Sequence, residues 1–334
     1  MCARVTVRAG RALLSSIVAT FAVAACGPAS RPPLRVHFYN SGQGLAALVT
    51  LPNGTKILID AGESPTRVDC DSCAEWHERV MEGLDAEVGK GPLELLWITH
   101  QHSDHLGGAP AVLSAFRPSF YVDNGLDLSK GTVHFAREAA LSAGVQIAAI
   151  DPSHAELPPF DTGEVTLTPI VPAAWPAGCR DDPNACSIGL RFDYAESSIL
   201  FTGDGTNEEA AQLDPRGEVT LLQVGHHGSD TATDAPFLDR IRPKYAVISV
   251  GKPNEGTNSG YCHPRSDVIG RLTAAMGGAG RDAVGAFDGR ARCDATAPAP
   301  EHWIEVPASD RLWVTARDGD VLLSTTGDGN FTRE

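Results

Sequence analysis

The sequence predicts an α/β sandwich: two β-sheets packed face to face with helices on the outside. Two observations carry that expectation. Short apolar runs with strand character recur through both halves of the 334-residue chain, and segments of helical spacing follow them in each half. Three of the runs also end in a compact group of imidazoles or carboxylates, as strands do when they stop at one functional edge.

Residues 34–40 alternate as a half-buried strand should. Residues 46–51 and 56–60 flank Pro52-Asn53-Gly54, and an Asn-Gly turn after Pro joins two such strands as a hairpin. Over residues 74–88 the spacing puts Trp76, Val80, Leu84 and Val88 on one helical face. A strand at 93–99, a helix at 109–116, a strand at 119–122, a helix at 133–143 and a strand at 146–150 complete the first half. Residues 151–161 are rich in Pro and polar side chains and read as a linker. Beyond it, strands are expected at 165–170, 187–194, 198–202, 219–224 and 245–250, and helices at 207–213, 235–241 and 266–276. The tail, residues 312–326, reads as a hairpin around Asp318-Gly319. There is no internal repeat and no low-complexity block.

The N-terminus reads as an export signal. Arg4, Arg8 and Arg11 precede an apolar stretch over residues 12–25 that is too short for a comfortable membrane span. Val23-Ala24-Ala25-Cys26 resembles the lipobox of bacterial lipoproteins. That resemblance implies cleavage after residue 25, acylation of Cys26 and a membrane-tethered mature domain with no transmembrane helix. An ordinary signal peptide with an incidental cysteine is the plainer alternative. Gly27 after the cysteine favours the outer membrane in the lipoprotein pattern. The organisation is then a leader at 1–25, a Pro-rich tether at 26–33 and one domain at 34–334.

Loss of the leader strips three positive charges from a chain whose formal net charge is already -15. An acidic surface repels phosphates at long range, so sequence-independent coating of DNA is excluded as a main task. Six cysteines remain in the exported form: Cys70, Cys73, Cys179, Cys186, Cys262 and Cys293. An oxidising compartment and short loops suggest Cys70 with Cys73 and Cys179 with Cys186, leaving Cys262 for Cys293. A redox or zinc role for Cys70-x-x-Cys73 is the competing reading.

The chemistry concentrates in His100-Gln-His102-Ser-Asp104-His105, directly after the apolar run that ends at Thr99. Four metal-binding side chains within six residues at a strand end can be aimed at one point by a turn, and imidazole with carboxylate suits zinc or a similar borderline ion. A surface loop rich in His by chance is the bland alternative, and the strand before and Gly107-Gly108 after weigh against it. Asp204 follows the run at 198–202, and His226-His227 follow the run at 219–224. Alone, Asp204 in Gly-Asp-Gly would be only a turn former. Together the three groups hold ligands for two ions, with His100 and His102 on one, Asp104 and His105 on the other, and Asp204 bridging.

These motifs, with Gly42-Gln43-Gly44, Ile57-Leu-Ile-Asp60-Ala-Gly62, Ser187-Ile-Gly-Leu-Arg191, His226-His-Gly-Ser229 and His263-Pro264, resemble the metallo-β-lactamase-fold hydrolases. More narrowly, the chain resembles the extracytoplasmic hydrolase domain of ComEC-type DNA-uptake competence proteins. The resemblance implies an αβ/βα sandwich with a two-metal site at the edge of both sheets. It implies metal ligation by His100, His102, Asp104, His105 and Asp204, with Asp60 orienting the site from behind.

Many superfamily members place a His just before the strand that begins here at Ser187, where this chain has Asp181-Asp-Pro-Asn-Ala-Cys186. The first ion would be short of a ligand, so His226 and His227 are both expected to point inward; one ligand and one buried, hydrogen-bonded His is the alternative. His263 completes the second metal, protonates a leaving group, or sits in a loop before the helix at 266. Tyr261 either hydrogen-bonds a substrate or packs at the surface. Leu45 stands where the competence proteins usually have Asp, which implies an altered group at the pocket mouth.

The implied activity is hydrolysis of a phosphodiester or related phosphoester by a hydroxide bridging two divalent ions, zinc first, with manganese and iron as alternatives. Asp104, His227 and His263 are the residues expected in the chemistry, with His227 or His263 protonating the leaving oxygen. Substrates would be nucleic acid or an envelope phosphoester, and the lipid anchor at Cys26 would supply the membrane contact. A lactonase or β-lactamase-like hydrolase is the alternative enzyme. A non-catalytic metal- and DNA-binding envelope module is the alternative outside enzymes.

Overall fold

The computed structural model describes residues 31–89, 92–127, 131–294 and 300–334. The expected leader and Cys26 lie outside these described residues. Strands β1 (Leu34–Phe38), β2 (Ala47–Thr50), β3 (Lys56–Ile59), β4 (Leu95–Trp97), β5 (Phe120–Asp123) and β6 (Gln146–Ala149) belong to a first sheet. A second contains β7 (Thr166–Ile170), β8 (Gly189–Tyr194), β9 (Ser197–Phe201), β10 (Leu221–Gln223) and β11 (Tyr245–Ile248). The C-terminal part adds β12 (Ala283–Phe287), β13 (Trp303–Pro307), β14 (Leu312–Val314), β15 (Val321–Thr325) and β16 (Thr332–Arg333). The helices are α1 (Cys73–Val88), α2 (Ser103–Leu106), α3 (Ala109–Phe116), α4 (Gly131–Ala143), α5 (Asn207–Ala210), α6 (Ala235–Ile241), α7 (Asn258–Tyr261), α8 (Ser266–Ala275) and α9 (Thr315–Asp318).

The first sheet runs β16-β15-β1-β2-β3-β4-β5-β6, antiparallel up to β3 and parallel from β3 to β6. The second runs β14-β11-β10-β9-β8-β7, parallel from β14 to β9 and antiparallel from there. Each sheet therefore has a parallel block, and the ends of these blocks carry the polar motifs.

Side-chain alternation decides the layers. Ile57 and Ile59 of β3 enter the core between the sheets with Trp97, Leu190, Phe192, Phe201 and Val247, while Leu58 faces the other way. On that outer face Leu58, Leu96 and Tyr121 are covered by Val80 and Leu84 of α1, Val112 of α3 and Ala136 of α4. Leu200, Leu222 and Ile248 of the second sheet are covered by Phe237 of α6 and Ile269 of α8. The central parallel strands are thus buried on both sides, which is why Leu95-Leu96-Trp97 of β4 is apolar without a break. Trp97 also ties the sheets together, its Nε1–H donating to the Ile188 carbonyl at 3.1 Å.

The expected two-sheet sandwich is the observed architecture, and the hairpin at Pro52-Asn53-Gly54 forms with Thr50 opposite Lys56. Disulfides join Cys70 to Cys73, Cys179 to Cys186 and Cys262 to Cys293, the three expected pairs. The tail differs from expectation. β14 pairs in parallel with β11 of the second sheet and β15 antiparallel with β1 of the first, so the two strands are not a hairpin. The helical turn α9 separates them, held by the Asp318 carboxylate accepting from the Val314 amide at 2.7 Å. β12 and β13, which the sequence reading missed, form a separate two-stranded ribbon. Among the described residues no helix is long and apolar enough to cross a membrane.

Candidate metal centre

Five of the parallel strands deliver their carboxyl ends to one place. Asp60 follows β3, Thr99 and His100 follow β4, Asp204 follows β9, His226 and His227 follow β10, and Ser249 follows β11. Loops at strand ends are free to turn a side chain out of the sheet, which is why sites in open α/β sheets gather there. Two glycines allow the close approach this needs. A Cβ at Gly108 would stand 2.1 Å from the Ala61 carbonyl, and one at Gly203, at φ 55°, would stand 2.6 Å from the Thr99 side chain.

His226 and His227 both take left-handed backbone angles, φ 49° and 52°. Such a conformation costs a residue other than glycine about 1 to 3 kcal/mol and persists where the surroundings impose it. Its result is that the two neighbouring imidazoles splay. His227 enters the cluster with Asp104, His105 and Asp204, whose ligand atoms all lie within 4.8 Å of one another. His105 Nε2 is 3.1 Å from His227 Nε2 and 3.1 Å from Asp204 Oδ1. His227 Nε2 is 3.3 Å from Asp104 Oδ2 and 3.4 Å from Asp204 Oδ2.

The outer nitrogens are committed. His105 Nδ1–H donates to Asp60 Oδ2 at 2.6 Å, and His227 Nδ1–H donates to the Ser249 carbonyl at 2.7 Å. Asp60 also accepts from the Thr99 amide at 2.7 Å and the Thr99 hydroxyl at 2.8 Å. In the neutral imidazoles this leaves the Nε2 lone pairs facing each other beside two carboxylates. A divalent cation satisfies all four groups at once, so the donor set fits a metal ion.

Protonation preferences point the same way. Burial alone would depress His105 and His227, but Asp204 first, with Asp60 for His105 and Asp104 for His227, reverses it; His105 lies well above its ordinary value and His227 rises to about 10. Burial likewise would raise Asp104 and Asp204, yet His227 and His105 hold both carboxylates below the usual range. His100, His226 and His263 are pushed down, chiefly by burial and then by neighbouring charges. Among these site histidines, His105 and His227 are the ones held toward the protonated form, at the place where a cation would replace the protons.

The remaining side chains stand around it. His100 Nε2 lies 3.1 Å from His102 Nδ1, and His100 Nδ1 lies 3.2 Å from the Thr99 hydroxyl. His226 turns to the other side of Asp204, its Nε2 3.8 Å from Asp204 Oδ2 and 3.4 Å from Asn184 Nδ2. Asn184 Oδ1 is 2.8 Å from His102 Nδ1. His263 stays outside the four-residue cluster; its ring is 5.4 Å from that of His226, and Tyr261 stacks on it.

A cavity of about 310 Å³ opens over these groups, lined also by Arg67, Ser103 and Tyr261. Arg67 Nη1 donates to Ser103 Oγ and Glu63 Oε2, each at 2.8 Å. Sequence reasoning missed Arg67 and Asn184. Arg67 sits in a loop with no pattern to single it out, whereas Asn184 lies in the very segment noted for lacking an imidazole. The reading of Leu45 as a group at the pocket mouth is wrong. Leu45 is wholly buried among the residues between the sheets, because alternation along its segment sends its side chain inward.

The Metallo-beta-lactamase superfamily profile matches residues 39–252. The chain belongs to that superfamily. Competence protein ComA of Neisseria gonorrhoeae is 28% identical over 258 residues, covering 72% of this chain and 29% of that protein. Recombination protein 2 of Haemophilus influenzae is 28% identical, covering 73% and 27%. ComE operon protein 3 of Bacillus subtilis is 28% identical, covering 70% and 30%. The chain thus spans less than a third of the length of these relatives, which match the resemblance to ComEC-type hydrolase domains drawn from its motifs. Among similar solved structures is the metallo-beta-lactamase fold protein YhfI of Bacillus subtilis, 11% identical with a TM-score of 0.44, covering 73% of this chain and 94% of that one.

Proposed function

We propose that the protein is an exported, lipid-anchored phosphodiesterase working with two divalent ions, zinc first, on nucleic acid or an envelope-linked phosphoester. The observation that carries the reading is the convergence of Asp104, His105, Asp204 and His227 beneath a cavity whose rim holds the Arg67 guanidinium. These four would hold one ion, and His100 and His102 would share Asp204 in holding the other. Bound there, the ions would supply Lewis-acid chemistry, activating water near neutral pH and offsetting charge on the attacked ester. Arg67, which lines the cavity while paired with Glu63 and Asp69, would offer its guanidinium edge to an anionic ester oxygen.

His227 has its Nδ1 proton fixed on the Ser249 carbonyl, while His263 lines the same cavity and, held neutral by burial, would meet the leaving oxygen with a ring N–H. The chain's net charge of -15 disfavours long-range attraction of a polyanion, so recognition would be local, through the ions and Arg67. The competence and recombination names of the relatives make a nucleic acid the first substrate to try. Export and the anchor rest on the leader pattern and Cys26.

The test is turnover of bis-p-nitrophenyl phosphate, a DNA strand, nitrocefin and a lactone by metal-replete protein, beside Asp104→Ala. Phosphodiester cleavage that disappears together with bound metal in Asp104→Ala is expected. Turnover confined to nitrocefin or the lactone would replace the proposal by the alternative hydrolase. Two bound ions without turnover of any ester would leave a metal-binding module.

A further inference from the structure

We propose that the Asn184 side-chain carbonyl is a metal ligand, completing the ion position formed by His100, His102 and Asp204, and that the Cys179–Cys186 disulfide loop exists to present it. The inference rests on the two-ion reading above and adds the donor that the sequence left missing. Asn184 is 5% exposed, more buried than the half-buried His102 and His226 on either side of it, and its side chain reaches into the cavity rather than the core. Its Oδ1 lies 2.8 Å from His102 Nδ1, the atom that itself faces His100 Nε2 at 3.1 Å. Its Nδ2–H points to His226 Nε2 at 3.4 Å. An amide has one acceptor and one donor end; with the donor end toward His226, the oxygen is left on the side where His100 and His102 converge.

The loop leaves that oxygen little freedom. The Asn184 amide donates to Asp182 Oδ1 at 3.0 Å, and the Asn184 carbonyl accepts from the Ser187 amide at 3.2 Å and the Ser187 hydroxyl at 3.0 Å. Two residues on, Cys186 is bonded to Cys179, and its carbonyl accepts from Asn124 Nδ2 at 2.9 Å. A donor fixed in this way costs little ordering when an ion binds. Its chemistry also has a consequence. A neutral amide oxygen is a harder and weaker donor than imidazole, so this position is the weaker of the two and accepts manganese more readily than the position built on Asp104, His105, Asp204 and His227.

The experiment strips the full chain with chelator and titrates it with zinc, and separately with manganese, following stoichiometry by elemental analysis and affinity by chelator competition. The wild type is expected to take two equivalents of zinc, one tighter than the other. In Asn184→Ala the weaker equivalent should lose at least about tenfold in affinity while the tighter one holds, and Asn184→His should tighten zinc in the weaker position. The double variant Cys179→Ser with Cys186→Ser should reproduce the selective loss. Cobalt loaded into the wild type and into Asn184→His should differ in visible absorption, a readout that mere support of the loop would not move. Unchanged affinities in Asn184→Ala, or equal loss at both positions, would overturn the assignment. A wild type that binds no ion would overturn the two-ion reading itself, and the role of Asn184 with it.

Discussion

Asp60 sits behind the cluster, fully buried, and turns one carboxylate to three donors: the Thr99 amide, the Thr99 hydroxyl and His105 Nδ1. Its backbone is left-handed at φ 56°, which Asn tolerates better than most residues. Asp60→Asn therefore keeps shape and backbone but replaces one acceptor oxygen by a donor, so Thr99 or His105 loses its partner. Metal affinity at the Asp104–His227 cluster should fall about 10- to 100-fold with the circular dichroism unchanged, measured by chelator competition. Wild-type affinity in that variant would strip Asp60 of its orienting role. Asp60 was visible in the sequence through the resemblance carried by Ile57-Leu-Ile-Asp60-Ala-Gly62. The matching support for His227 was not, because it comes from the Ser249 backbone carbonyl, and a carbonyl leaves no mark on residue identity.

Helices with explicit local signals form where the sequence places them. α6 starts from Asp234, whose side chain caps the Phe237 amide, with Pro236 in the first turn, and it spans the expected residues 235–241. α3 likewise spans the expected 109–116, with Pro110 in its first turn. β14 and β15 were each recognised, but not their partners, because alternation tells which side of a strand is buried and not which strand lies beside it. A charged cluster shows how elements distant in sequence are fastened. His37 of β1 contacts Glu87 of α1 and, at 3.4 Å, Asp320 in the turn before β15, with Tyr39 packed on its ring and Arg79 acting on Asp320. Burial would lower the His37 imidazole, but the hydrogen bonds to Asp320 and Glu87 outweigh it and lift it to about 9. A raised value means stabilisation that is complete below the unfolded value near 6.5 and is lost as pH rises through about 9. The stability advantage of wild type over His37→Gln in urea should therefore shrink between pH 6.5 and 10. An advantage independent of pH across that window would rule out a protonated His37.

Taken together, the folded chain keeps two imidazoles and two carboxylates crowded in its interior, an arrangement that ion binding relieves. An ion that binds only the native state stabilises it by about 2.7 kcal/mol at a hundredfold excess over Kd. Loading chelator-treated protein with zinc should raise Tm by several degrees, and Asp104→Ala should show a much smaller rise; equal rises in both would place the binding elsewhere. The disulfides belong to the same construction, since Cys70 follows Arg67, Cys186 follows Asn184, and Cys262 lies between Tyr261 and His263. From sequence alone came the sandwich, most of its strands, the two short-loop cysteine pairs with Cys262 and Cys293 as the remainder, and the three strand-end motifs, because periodicity, turn chemistry and short loops are local properties. Only the tertiary structure decided that His227 joins Asp104, His105 and Asp204 while His226 turns toward Asn184, and that Leu45 is core. His105 and His227 are 122 residues apart, and their meeting at 3.1 Å depends on how two sheets pack and on a strained backbone turn, neither of which any local pattern encodes.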